Sequence, residues 1–297
     1  MTTVSRRAAH TFEQLMLDFL THLDGTRGLA RNTREAYRVD LLQFGAFLTR
    51  RGVGALAADH TTVAAFLEEL VGGRGTPPPA AATLRRKAAC LRSFYAHLHS
   101  TGMIERNPAL ELKGPRLAKR RPQSLTRREI EQLLAQPRGT SPAALRDRAL
   151  LQLLYGCGLR ASEAIALEHH DVDLDAAVLR ADADGPRRRL VPVADSALAA
   201  IREYLERGRP LLVTKREHGH VLVNRCGDAL TRQGLYKIVQ RHARTAGLTD
   251  QVNPRTLRRT RATQLLASDA DVQALQEMLG HTDRATTQRY ANLPEAA

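Results

Sequence analysis

A basic run bounded by prolines, GPRLAKRRP at 114–122, constrains this chain more than any other stretch. It has four cations in nine residues and only one large apolar side chain. Such a segment suits an exposed connector, so the chain is expected to fold as two units rather than one. A length of 297 residues is enough for two ordinary domains, each with its own core. The boundaries expected are 8–113 for the first domain, 114–123 for a basic linker and 124–297 for the second domain.

The segment before the run reads as helix throughout. Phe12, Leu15, Met16, Phe19, Leu20 and Leu23 recur at helical spacing and form one apolar stripe. Asn32 to Glu35 (NTRE) has the form of a capping box, opening a helix whose inner face carries Tyr37, Leu41, Phe44 and Leu48. A third helix is expected over 62–70. After the loop GGRGTPPP at 72–79, Leu84, Leu91, Tyr95 and Leu98 mark a fourth. The first domain is therefore expected to be a small helical bundle.

The second half is mixed. A capping box at Thr126–Glu129 and an apolar helix from Ala143 to Tyr155, stopped by Gly156 and Gly158, lead into a hairpin. The hairpin is built from VLRA (178–181), the turn-prone DADG (182–185) and RRLVPV (188–193), and VLVN at 221–224 is expected to add a strand. Helical spacing then returns at Leu235, Ile238 and Val239, over Leu257–Leu266 and over Val272–Leu279. The fold class expected is mainly α with a small antiparallel β-sheet.

Charge narrows the function. Forty-five Lys and Arg against 31 Asp and Glu leave a net charge of +14, which calls for a polyanionic partner, nucleic acid first. The surplus is +5 in residues 1–113 and +9 in the rest, so both domains are expected to touch the partner. Only five of the cations are lysines, at 87, 113, 119, 215 and 237. Three scattered cysteines form no CxxC pair, and the histidine pairs lack companions at metal-site spacing, so no metal or other cofactor is expected. GGRG lacks the Lys-Ser/Thr of a P-loop. No apolar run approaches membrane-spanning or signal-peptide length, so a soluble cytoplasmic protein with no membrane partner is expected.

Four strings carry the chemistry: GLRASE at 158–163, the hairpin, PRTLRRTRAT at 254–263 and MLGHTDRATTQRY at 278–290. Taken singly, each has an ordinary reading. Arg160 can be a helix cap, Arg258 one cation of a DNA-backbone face, His281 a capping residue and Tyr290 a half-buried aromatic. Their order and spacing turn the argument. GLRxSE, then LR within a helix, then LGH followed nine residues later by Tyr resembles the tyrosine recombinases, the phage-integrase family, and most closely their Xer-type members.

The resemblance spans nearly the whole chain. It implies an N-terminal SAM-like core-binding domain that clamps DNA and a C-terminal catalytic domain. It also implies site-specific recombination of double-stranded DNA through a 3′-phosphotyrosine. Tyr290 would be the nucleophile, Arg160 and Arg258 the phosphate-binding pair, and His281 a hydrogen-bonding or proton-handling partner. Arg255, the first residue of RTLR, stands where the family motif HxxR has histidine. It can bind a phosphate oxygen but does not shuttle protons near neutral pH.

Aligned on VPV, Asp184 falls where the family carries the lysine that protonates the departing 5′ oxygen. An ionised carboxylate there repels phosphate, so reduced activity is expected, unless Asp184 is only the Asp of an Asp-Gly turn and the alignment is displaced. The alternative function is a DNA-binding accessory or regulatory protein on the recombinase fold; a relaxing topoisomerase ranks last. Arg85, Arg86 and Lys87 on the fourth helix, with Arg187 and Arg259, are the candidate DNA contacts. A homo-oligomer on DNA, dimer to tetramer, is implied, with a partner recombinase as one source of the missing lysine function. After Tyr290 the segment ANLPEAA contains Pro294, which disfavours the long additional helix usual in Xer-type enzymes.

Overall fold

The computed structural model describes residues 10–27, 31–73, 77–115, 124–182, 188–213, 219–248, 252–268 and 270–291. Two compact units divide between residues 120 and 121. The run 116–123, the hairpin tip 183–187 with Asp184 and Arg187, and the tail 292–297 lie outside the described residues. So do Lys119 and Lys215.

The first unit contains α1 (Phe12–Arg27), α2 (Arg31–Arg51), α3 (His60–Gly72) and α4 (Ala81–Ser100). Their apolar stripes meet in one core in which Phe19, Phe44, Phe47, Phe66, Phe94 and Tyr95 are buried among leucines. Edge-to-face contacts join Phe19 to Phe94 and Phe44 to Phe66, with centroids 5.5 and 5.2 Å apart. The start of α3 is set by Asp59, whose carboxylate accepts the Thr62 N–H. NTRE does not act as a cap, because α2 already includes Arg31, and Glu35 instead pairs with Arg38 at 2.8 Å.

α4 also carries a correction. Lys87 is buried rather than facing DNA, because its ammonium donates to Asp40 Oδ1 at 2.7 Å and to Gln43 on α2. Arg86 is bound to the same carboxylate and to the Ala36 carbonyl. Arg85 alone of the three is exposed. The spacing of Leu84, Leu91 and Leu98 turns position 87 inward, so the cation is retained only with a buried carboxylate beside it.

The second unit begins with α5 (Arg127–Leu134), where the predicted Thr126–Glu129 capping box forms in both directions. α6 (Pro142–Tyr155), capped by Ser141, forms the centre of the core, with Leu150, Leu151, Leu153 and Leu154 fully buried. The short α7 (Ala161–Ala166) leads into an antiparallel sheet of β1 (Val172–Asp173), β2 (Val178–Ala181) and β3 (Arg189–Pro192), in that order. β2 and β3 pair from Val178↔Pro192 to Ala181↔Arg189. Residues 221–224 are not a strand. The segment makes an isolated bridge, Val223↔Ala229, and sinks Val221, Leu222 and Val223 into the core, so the apolar run reflects burial rather than pairing.

The remaining helices are α8 (Asp195–Glu203), α9 (Arg209–Leu212), α10 (Arg232–Thr245), α11 (Pro254–Ala267), α12 (Val272–Leu279) and α13 (Arg284–Ala291). Among the described residues no helix is long and apolar enough to cross a membrane. Because Lys87 and Asp40 are both buried, Asp40→Ala is expected to destabilise the first unit by about 3 kcal/mol by stranding an ammonium. The paired change Asp40→Leu with Lys87→Met should cost far less, and urea unfolding of the full chain separates the two outcomes.

Candidate active site

Three backbone features aim the site's polar side chains. At the end of α6 the chain reverses through Gly158, at φ +61°, where a side chain would press on Leu279 at 3.2 Å. Leu159 then enters the core and Arg160 becomes the N-cap of α7. α12 ends in a left-handed Gly280, φ +59°, and delivers His281 immediately beyond. On α11, Asn253 caps the helix and Leu257 is buried, so Arg258 follows it inward.

The guanidiniums meet at a carboxylate that the sequence reading left without a role. Glu163 accepts the Arg160 backbone N–H at 2.7 Å and the Arg160 guanidinium at 2.6 Å. It also accepts two bonds from Arg189 at 3.0 and 3.1 Å, and Arg258 lies 3.8 Å away. Burial alone raises this carboxyl. The hydrogen bonds from Arg189 and the Arg160 N–H, with the charges of both arginines, outweigh it and hold the group at about 2.

Backbone carbonyls fix the other ends. Arg160 donates to Gly280 O at 2.8 Å and Arg189 to Met278 O at 2.7 Å. Arg258 donates to Gly158 O and Leu279 O. Burial and the neighbouring Arg160 lower Arg258 to about 10, which leaves it charged at neutral pH.

Arg258 also donates to His281 Nε2 at 3.2 Å, while His281 Nδ1 lies 2.9 Å from Thr287 Oγ1. Burial, reinforced by Arg258, Arg160 and Arg189, lowers this imidazole to about 4, so it is neutral at pH 7. Tyr290 on α13 sits beside it, ring centroids 5.7 Å apart.

Arg160, Arg255, Arg258, His281 and Tyr290, the five residues singled out from sequence, line one cleft of about 480 Å³. Arg255 reaches it from the exposed side of the first turn of α11. Arg259, half-buried, lies within electrostatic reach of Tyr290. Arg187 lies outside the described residues. Among the described residues no cluster of His, Cys, Asp and Glu is arranged to hold a metal ion.

Sequence reasoning missed Glu163, Arg189, Thr287, Arg232 and Tyr236. The first three stand inside the strings already quoted, but local spacing does not reveal that they bond across α7, β3, α12 and α13. Arg232 and Tyr236, also on the cleft wall, lie one turn apart on α10 and border its buried stripe of Leu235, Ile238 and Val239. That periodicity was their available signal.

Both units match known protein families. The model described as "Phage integrase family" matches 123–296, and "Phage integrase, N-terminal SAM-like domain" matches 17–102. The chain is 37% identical to the tyrosine recombinase XerD of Lacticaseibacillus casei, covering 94% of each chain. It is 38% identical to the tyrosine recombinase XerC of Roseiflexus castenholzii, covering 93% of this chain and 87% of that one. In fold it is similar to the XerH recombinase bound to palindromic difH substrate (TM-score 0.69, 21% identity), over 96% of this chain and 82% of that one. It is also similar to the Tn1549 transposon integrase in complex with a circular intermediate DNA (TM-score 0.71, 17% identity, 94% of each chain).

Glu163→Gln is expected to lower stability by about 3 kcal/mol at pH 7, because three guanidiniums then share no anion. The folded carboxyl titrates below its ordinary value of 4.5. Its contribution is therefore complete above pH 4.5 and is lost as pH falls toward 2. The difference between parent and variant, read from urea midpoints across pH, should shrink over that interval.

Proposed function

The chain belongs to the phage integrase family of tyrosine recombinases, a family of DNA breaking-rejoining enzymes, and from that premise we propose how its residues carry out site-specific recombination. Tyr290 attacks the scissile phosphate of double-stranded DNA. A bond forms from its oxygen to phosphorus, the bond to the 5′ oxygen breaks, and a 3′-phosphotyrosine holds the strand for rejoining. Arg160 and Arg258 bind the nonbridging oxygens and stabilise the charge of the pentacovalent transition state, Arg255 adds a further phosphate contact, and His281 handles the proton at the cleft. The observation that carries this reading is the convergence of Arg160, Arg258, His281 and Tyr290 on one cleft. A protein that only bound DNA has no physical need of that arrangement.

The core-binding domain is taken as 8–113, the linker as 114–123 and the catalytic domain as 124–297. Arg85, Arg187 and Arg259 contribute salt-dependent backbone affinity, and Arg86 and Lys87, both bound to Asp40, are withdrawn from that set. The active species is an oligomer on DNA, dimer to tetramer, acting in the cytoplasm. Asp184, at the position of the family lysine, leaves the departing 5′ oxygen short of a proton donor and slows cleavage unless a partner recombinase supplies one.

Two measurements test these assignments. Protein stripped of noncovalent complexes with detergent should retain DNA of a defined sequence, and Tyr290→Phe should retain none. Retention by both proteins, or by neither when a nicked trapping duplex is used, removes Tyr290 as nucleophile. Asp184→Lys should raise the cleavage rate at least about tenfold; an unchanged or lower rate removes the general-acid role from position 184.

A further inference from the structure

His281 is held by three helices at once. Its main chain is clamped to α12: the His281 N–H donates to Gln276 O at 3.1 Å, and Gln276 Nε2 donates back to His281 O at 3.1 Å. One ring nitrogen, Nε2, faces Arg258 on α11 at 3.2 Å, and the other, Nδ1, faces Thr287 on α13 at 2.9 Å. Thr287 has no solvent exposure. It lies three residues before Tyr290 on the same helix, so the two side chains share a face.

These contacts determine where the proton sits. A guanidinium has donors only, so the nitrogen facing Arg258 must present its lone pair. A neutral imidazole then carries its hydrogen on Nδ1, and that N–H donates to Thr287 Oγ1. The hydroxyl therefore does two things at one point. It holds the ring in the tautomer whose Nε2 lone pair lies toward the cleft, and it ties the ring to the helix that bears Tyr290.

We propose that Thr287 is a positioning residue for strand cleavage, acting through His281: its buried hydroxyl fixes the imidazole tautomer and latches α13 to the cleft. The inference rests on the recombinase reading above. It goes beyond that reading by assigning a role to a residue that need not touch DNA. A valine at this position keeps the β-branched shape and the packing while removing the acceptor, and a serine keeps the acceptor.

The test is single-turnover formation of the covalent complex by the full chain, using a nicked duplex of the sequence recovered by Tyr290-dependent capture. Thr287→Val should slow the step about tenfold at saturating duplex and leave the half-saturating concentration within about twofold. Thr287→Ser should react within about threefold of the parent. In a His281→Ala background, Thr287→Val should cost nothing further, since the hydroxyl then has no ring to hold. A multiplicative loss in that background, or a matching loss in the serine variant, overturns the proposal in favour of a packing role.

Long-range 1H–15N correlation spectra of the free protein give a second reading without DNA. The His281 resonances should show the Nδ1–H tautomer in the parent and in Thr287→Ser, and loss of that preference in Thr287→Val. A parental tautomer with the hydrogen on Nε2 overturns the proposal. The two failures remain separate. A parent that forms no covalent complex removes the recombinase reading and the positioning role given to Thr287, whereas a parent that reacts alongside an equally fast Thr287→Val removes only the latter.

Discussion

The catalytic unit depends on one buried carboxylate. Without Glu163, placing Arg160, Arg189 and Arg258 within a few ångströms of one another is untenable, because each positive charge is partly desolvated and repels the others. Glu163 does more than neutralise. By accepting the N–H of Arg160 it also fixes the residue that starts α7, so the turn after α6 and the charge cluster are set by the same group. Backbone carbonyls of Gly158, Met278, Leu279 and Gly280 accept further guanidinium hydrogens. Four segments distant in sequence are thereby tied together by arginine.

That wiring explains the two left-handed glycines beside the cleft. Gly158 and Gly280 each place a carbonyl in the arginine network, and at each a β-carbon would press on a neighbour, Leu279 in one case and the Arg189 side chain in the other. A residue with a side chain would meet both the backbone cost of positive φ and a clash. The GLR and LGH strings are thus partly statements about backbone shape.

Much of this was legible in the sequence, and the part that was not has a common cause. Local devices read well: the Thr126–Glu129 box, the stripes of α1 and α4, and the pairing of 178–181 with 189–192 all depend on neighbours within a few residues. Apart from NTRE, which lies inside α2 rather than before it, what failed depends on partners far along the chain. Lys87 reads as a surface cation until Asp40, 47 residues earlier, is found beside it. The apolar run 221–224 reads as a strand because short apolar segments do not distinguish pairing from burial. In the site the pattern is the same. Arg160, Arg258, His281 and Tyr290 were recoverable because the resemblance fixes their order, whereas Arg189 and Thr287 act through bonds to other segments, and Glu163, beyond its bonds to Arg160, acts through Arg189 on β3.

Charge balance connects the structure to the proposed reaction. Arg160, Arg189 and Arg258 with one carboxylate held ionised and one neutral imidazole carry a surplus of two positive charges, to which Arg255 and Arg232 on the cleft wall add. A phosphodiester brings one negative charge, and the pentacovalent species formed by attack of a phenolate brings two. A cationic site of this kind favours the doubly charged transition state over the singly charged substrate, the condition under which binding energy lowers a barrier instead of only filling a site. Position 184 gains its importance from this count. The lysine implied there by the resemblance would add a positive charge with a transferable proton, while an ionised aspartate subtracts one. It would then move the balance from the transition state toward the ground state even though every guanidinium kept its place.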